Sequence, residues 1–169
     1  GSAGYAAART AVDLGLKTAV IDGAEELGGL CILRGCMPSK TLIESGNRFR
    51  TLRRAKEFGL RADNLEVHGS EIIARKRRLI DDFASYRQEQ LEAGKFELIR
   101  GRAKFISSTK LEVTLNEGGT QEVNAATSIV ATGSVVSRLD LPGLEETGYL
   151  ISDDVLNLEA IPKSTIVLG

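Results

Sequence analysis

The chain has 169 residues, of which 42% are hydrophobic and 27% charged, and its formal net charge is −1. That composition is enough for one soluble core and gives no general attraction to nucleic acid or to an acidic membrane surface. Aromatic residues make up only 5%, with no Trp, which argues against a base-stacking platform, and no apolar run nears the length of a membrane span. Neither nucleic acid nor a membrane is an expected partner.

Taken in order, residues 3–14 carry a helical pattern, with Tyr5, Ala8 and Val12 on one side and Gly15 as the stop. Residues 17–22 form a short apolar strand ending in Asp22. After the cysteine segment, helical pattern resumes from Pro38 to about Phe58 and ends at Gly59. A polar loop with Asp63, Asn64 and His68 leads to a long helix, started by Ser70 and Glu71 and closed by Gly94. Its basic run, Arg75-Lys76-Arg77-Arg78, reads as a solvated face, and His68 is expected to be exposed and without a role.

Short β signals follow at 96–100, 103–106, 110–115 and 120–123, with Gly118-Gly119 as a hairpin turn. Residues 127–131 read as a continuous apolar strand running into Thr132-Gly133-Ser134. A loop with Pro142 and Gly143, a short helix near 153–158 and a last strand after Pro162 complete the chain.

The two cysteines, Cys31 and Cys36, stand within Gly28-Gly29-Leu30-Cys31-Ile32-Leu33-Arg34-Gly35-Cys36-Met37-Pro38-Ser39-Lys40. On a regular helix, residues five apart have Cα atoms about 8.7 Å apart, and a disulfide wants less than roughly 7 Å. A bond between them therefore requires a broken helix, which Gly35 and Pro38 favour. Cys36 would then lie near the start of the next helix, where the macrodipole lowers a thiol pKa, with Arg34 and Lys40 adding positive charge. A metal centre is not expected, because two thiols and the distant His68 fall short of the four ligands of a zinc site.

Both ends read as cut. The chain opens inside a turn leading to a helix and closes on an apolar run ending in Gly169. The expectation is a piece of a longer protein, so the absence of a signal peptide carries no weight.

Strand, glycine turn, helix, and strand ending in an acid is the dinucleotide-binding plan. Gly1-x-x-Gly4 would be the second half of its glycine fingerprint, with the pyrophosphate on the helix N-terminus. Asp22, 18 residues after Gly4, is placed to accept hydrogen bonds from a ribose diol.

These segments together resemble the first FAD-binding segment of the class I pyridine nucleotide-disulfide oxidoreductases, the family of dihydrolipoyl dehydrogenase, glutathione reductase and mercuric reductase. Gly28-Gly29-x-Cys31-x-x-x-Gly35-Cys36-x-Pro38-Ser39-Lys40 matches the redox motif, and Ala131-Thr132-Gly133-Ser134 resembles the second flavin motif. Residues 100–105, around Ala103, resemble the stretch that passes the adenine, and Leu141-Pro142-Gly143 with Ile161-Pro162-Lys163-Ser164 the connection into the NAD(P) domain. Two positions depart from the pattern: Leu30 replaces the usual Thr before the first cysteine, and Leu33 the common Asn between the two.

The resemblance implies an α/β fold, namely a partial, three-layer Rossmann-like FAD-binding domain with an inserted antiparallel β-meander. Residues 1–162 would be its first segment, lacking the first strand, and 163–169 the first strand of an NAD(P)-binding domain. It implies FAD and NAD(P)H as cofactors and a small or protein-bound disulfide or dithiol substrate. The whole protein would be a cytoplasmic homodimer, most like dihydrolipoyl dehydrogenase, with mercuric reductase next. Cys31 would attack the substrate disulfide and Cys36 would lie against the flavin, with Lys40 near it. Gly1, Ser2, Gly4 and Gly29 would hold the pyrophosphate region, Asp22 the ribose, and Ala103, Thr132 and Gly133 would line the cofactor. The competing reading from another class is a non-catalytic nucleotide-binding module whose thiols sense redox state. A methyltransferase on a similar nucleotide fold would leave both cysteines and Pro38-Ser39-Lys40 unexplained.

Overall fold

The computed structural model describes residues 1–168. Helix α1 spans Ser2–Asp13, and Gly15, at φ +78°, turns the chain out of it. Strand β1 follows at Ala19–Ile21, a one-turn helix α2 at Leu30–Leu33, and helix α3 at Cys36–Arg53. A 3₁₀ turn over Ala55–Phe58 ends at Gly59, φ +73°. Helix α4 covers Gly69–Glu92. Strands β2 (Glu97–Ile99), β3 (Gly101–Phe105), β4 (Lys110–Leu115) and β5 (Thr120–Asn124) come next, then the one-turn helices α5 (Leu144–Thr147) and α6 (Ser152–Val155).

Two sheets carry the α/β plan. β1 pairs with β2 in parallel, Val20 opposite Leu98, and β3-β4-β5 form the antiparallel meander, with Ala103 opposite Val113. Alternation along β4 buries Leu111 and Val113, the latter fully. The hairpin between β4 and β5 closes with the Gly118 N–H donating to the Leu115 carbonyl at 3.0 Å, and Gly118 (φ +98°) and Gly119 (φ +84°) then carry the chain back through the left-handed region, as the glycine after the turn does in longer hairpin loops.

The chain divides into two compact units. The first comprises Gly1–Cys31 with Phe83–Ser134. Its core is Ala8 of α1, Leu27, Leu91 of α4 and Phe96, flanked by Tyr5, Val12, Val20 and Leu98. α1 and the end of α4 thus cover the parallel ladder. The second unit comprises Ile32–Asp82 with the described residues from Val135 onward. It buries Ile32, Pro38, Ala55, Ile73, Ile80 and Leu144.

Four expectations need correction. Residues 127–131 form no strand, and Ile129 and Val130 are exposed. A strand exists through its ladder, and among the described residues nothing pairs with this run. Residues 163–168 likewise carry no ladder, while Gly169 lies outside the described residues. The helix expected from Pro38 begins two residues earlier and is interrupted at Arg54. Pro38 occupies its third position, where a missing N–H costs no helical bond. The loop with Pro142 contains α5, which starts after Gly143 in the left-handed region, φ +83°.

The basic run on α4 is also not uniformly solvated. Lys76 is buried, and its ammonium donates to the Leu156 carbonyl (2.9 Å) and to Asn157 Oδ1 (3.0 Å). Lys76 falls in phase with Ile73 and Ile80, the buried stripe of α4. Arg75 Nη1 donates to the Thr41 carbonyl of α3 at 3.3 Å, and Arg77 lies 3.7 Å from Glu159. His68 is exposed, 3.3 Å from Glu66.

Candidate functional site

In the first unit, three short segments converge: the start of α1, the end of β1 and the turn before α2. Gly1 precedes α1, and no side chain caps that helix. The first internal bond runs from the Tyr5 N–H to the Gly1 carbonyl at 3.0 Å. The N–H groups of Ser2, Ala3 and Gly4 therefore point forward without helical acceptors, at the positive end of a twelve-residue dipole.

The turn at Gly28-Gly29 lies directly against this end. Gly29 has φ +76°, and a Cβ there would stand 2.2 Å from the Gly1 Cα. Only glycine satisfies both the backbone angle and that approach. A Cβ on Gly4 would meet the Ala131 Cβ at 3.5 Å, ordinary contact, so Gly4 marks where the residue before Thr132 lies on α1. Thr132 and Gly133 (φ +76°) follow in irregular backbone and are exposed.

Asp22 leaves the end of β1 with its side chain 22% exposed. Its Oδ1 accepts from the Ala24 N–H at 3.0 Å, and its Oδ2 lies 3.9 Å from the Gly1 nitrogen. The acid therefore faces the uncapped helix start. Gly23 is fixed by its neighbours: a Cβ there would sit 2.7 Å from the Gly101 carbonyl oxygen. Ala103 lies mid-strand in β3 and is exposed.

Cys31 is half-buried in α2 and Cys36 is exposed as the first residue of α3. The helical run is interrupted where the separation of the cysteines requires it: α2 ends at Leu33, and Gly35 takes φ −136°, ψ −113°. Ser39 secures the new start, its hydroxyl donating to the Gly35 carbonyl at 2.7 Å while its N–H donates to the same oxygen at 3.1 Å. Lys40 is exposed on the next turn of α3. A cavity of about 250 Å³ in the second unit is bordered by Leu33 and Arg34 and, across it, by Lys76, Asp153, Asp154 and Asn157.

The structure thus brings Gly1, Asp22 and Gly29 together and sets Ala131 on Gly4. Cys36 and Lys40 belong to the second unit, and Ala103 to the meander. Two residues have contacts that the sequence reading did not assign, Arg100 having entered it only within the stretch 100–105. Arg100 clamps the loop after β1. Arg87 stacks on the Tyr5 ring at 3.8 Å from its centroid, with its Nε and Nη1 buried and unpartnered. Nothing in local sequence pattern marks either, since both act across more than 70 residues.

The profile of the family described as pyridine nucleotide-disulphide oxidoreductase matches residues 1–169. The chain is 34% identical to dihydrolipoyl dehydrogenase of Bacillus subtilis over 179 residues, which take in all of this chain and 37% of the relative. It is 31% identical to leghemoglobin reductase of Vigna unguiculata, again over its whole length and 32% of that protein. Among solved structures, LpdA from Mycobacterium tuberculosis superposes with a TM-score of 0.78 at 31% identity, over 96% of this chain and 36% of that one. The flavoprotein disulfide reductase RclA from Escherichia coli does so with 0.70 at 26% identity, over 94% and 33%. The chain spans about a third of the length of the relatives it matches.

Proposed function

This chain belongs to the pyridine nucleotide-disulphide oxidoreductase family, and on that premise we propose that the longer protein exchanges two electrons between NAD(P)H and a disulfide or dithiol substrate. The observation that carries this is the broken helix between Cys31 and Cys36, in a chain whose uncapped α1 start and Asp22 suit a dinucleotide. Bound FAD would supply the two-electron carrier between the nicotinamide and the thiols. The residues present fit that group: three forward-pointing N–H groups suit a pyrophosphate, and no side chain at Gly1 or Gly29 obstructs the approach.

Each residue then has a stated part. Cys31, as thiolate, attacks one sulfur of the substrate disulfide, forming a mixed disulfide and expelling one substrate thiolate. Cys36 attacks the Cys31 sulfur, which closes the Cys31–Cys36 disulfide and releases the second thiolate. Two substrate sulfurs are reduced and two cysteine sulfurs oxidised, and oxidation of a dithiol substrate runs these steps backwards. Asp22 accepts from the adenosine ribose, and Ser2 and Gly4 donate backbone N–H to the pyrophosphate. Lys40 supplies positive charge beside the flavin, and Ala103, Thr132 and Gly133 line the cofactor's path. Residues 1–162 are the first FAD segment and 163–169 the start of the NAD(P) domain. The parent works as a homodimer of the dihydrolipoyl dehydrogenase kind.

The test is colour and its loss. The full-length protein should purify yellow and, on mild dithiol reduction, develop a long-wavelength thiolate–flavin band. Cys36→Ser should abolish band and turnover, whereas Cys31→Ser should keep the band and lose turnover. Equal behaviour of the two variants would contradict the assigned roles. A colourless full-length protein would favour a thiol sensor.

A further inference from the structure

Arg100, the residue joining β2 to β3, is half-buried, and both terminal nitrogens of its guanidinium donate to main chain. Nη1 donates to the Asp22 carbonyl at 3.1 Å, and Nη2 donates to the carbonyls of Ala24 and of Glu25, the latter at 3.2 Å. The sheet itself reaches only as far as Asp22, whose N–H donates to Ile99 O at 3.0 Å and whose carbonyl accepts from Gly101 N–H at 3.3 Å. Beyond that point, among the described residues, the carbonyls of Ala24 and Glu25 have no other hydrogen-bond donor. The Ala24 N–H is the group that holds Asp22 Oδ1. The position of the Ala24–Glu25 segment therefore decides which way the carboxylate turns, and with it where Oδ2 points.

We propose that Arg100 is a positioning residue for the cofactor's adenosine end: by gripping the carbonyls of Asp22, Ala24 and Glu25 it aims Oδ2 of Asp22 at the ribose hydroxyls. This rests on the ribose role of Asp22 given above. A planar fork suits the task and a lysine does not, because one ammonium cannot span three acceptors in fixed directions.

The experiment measures FAD affinity of the full-length apoprotein by flavin fluorescence quenching, for wild type, Arg100→Gln, Asp22→Ala and the double variant. It is repeated with an FAD analogue whose adenosine ribose lacks both hydroxyls. Arg100→Gln should weaken FAD binding about tenfold, the size of one lost charge-assisted interaction. Added to Asp22→Ala it should weaken it no further, and with the dideoxy analogue its effect should fall to about twofold or less. A strut that merely stabilises the fold would weaken both cofactors equally and add to Asp22→Ala, and that pattern overturns the proposal. So does an Arg100→Gln protein with wild-type affinity while Asp22→Ala is impaired. If Asp22→Ala itself binds FAD normally, the ribose reading has failed instead. Should Arg100→Gln not fold, Arg100→Lys keeps the charge and should show the same dependence on ribose hydroxyls at smaller size.

Discussion

Where Gly29 meets Gly1 and Gly23 meets Gly101, the first unit sets main chain directly on main chain, whereas ties elsewhere, Arg100 in that unit and Lys76 in the second, reach from side chain to main chain. Gly29 lies too near Gly1 for any Cβ, and Gly23 too near the Gly101 carbonyl. In the second unit the comparable tie is the Lys76 ammonium on the Leu156 carbonyl and Asn157. A backbone-to-backbone site tolerates no added atom, because neither partner can swing aside. A side-chain tie can be shortened or replaced at a graded cost. The region suited to a pyrophosphate is accordingly the one built without freedom.

That contrast can be broken most severely at Gly29. Gly29→Ala should cost about 3 kcal/mol or more and strip the flavin from the full-length protein, read as thermal midpoint and flavin content. Gly15 has nearly the same backbone, φ +78°, but open space around it. Gly15→Ala should therefore cost only about 1 kcal/mol, with flavin retained. Equal losses would mean that backbone angle, not close approach, governs the first unit.

Lys76→Met should cost about 2 kcal/mol by leaving two acceptors unpaired, with faster amide exchange over residues 152–158 and little change in flavin content. A pH series sharpens the point. Burial, and then neighbouring Arg77, lower the Lys76 pKa below its ordinary value of 10.5, with Asp81 opposing. The unfolded chain thus holds this proton more tightly, so the contribution of Lys76 to stability should rise with pH through the window just below 10.5. Lys76→Met should flatten that rise. Smallest of all, Tyr5→Leu removes the stacking partner of Arg87 and should cost about 1 kcal/mol by denaturant unfolding.

Local pattern made much of this legible. The amphipathic phase of α1, the alternation in β4 and the glycine pairs at 28–29 and 118–119 each encode their own backbone. The cysteine spacing demanded a break, and the break lies at Arg34-Gly35. Pro38 marked the first turn of α3 but not its first residue, since a proline fits any of the first positions. The run 127–131 reads as a strand yet has no ladder among the described residues, because pairing belongs to two segments at once. Lys76 was hidden by its company: four consecutive cations read as one surface, although Lys76 alone of the four is buried alongside Ile73 and Ile80. Arg100 was visible only as part of a longer resemblance, because its acceptors lie 75 to 78 residues earlier.

The apolar run 127–131 has a practical consequence for anyone handling this chain. Ile129 and Val130 offer greasy side chains beside amide groups that pair with no strand among the described residues. At high concentration such a stretch recruits copies of itself, so light scattering should grow steeply with dose. A charged residue in place of Val130 would keep the solution clear.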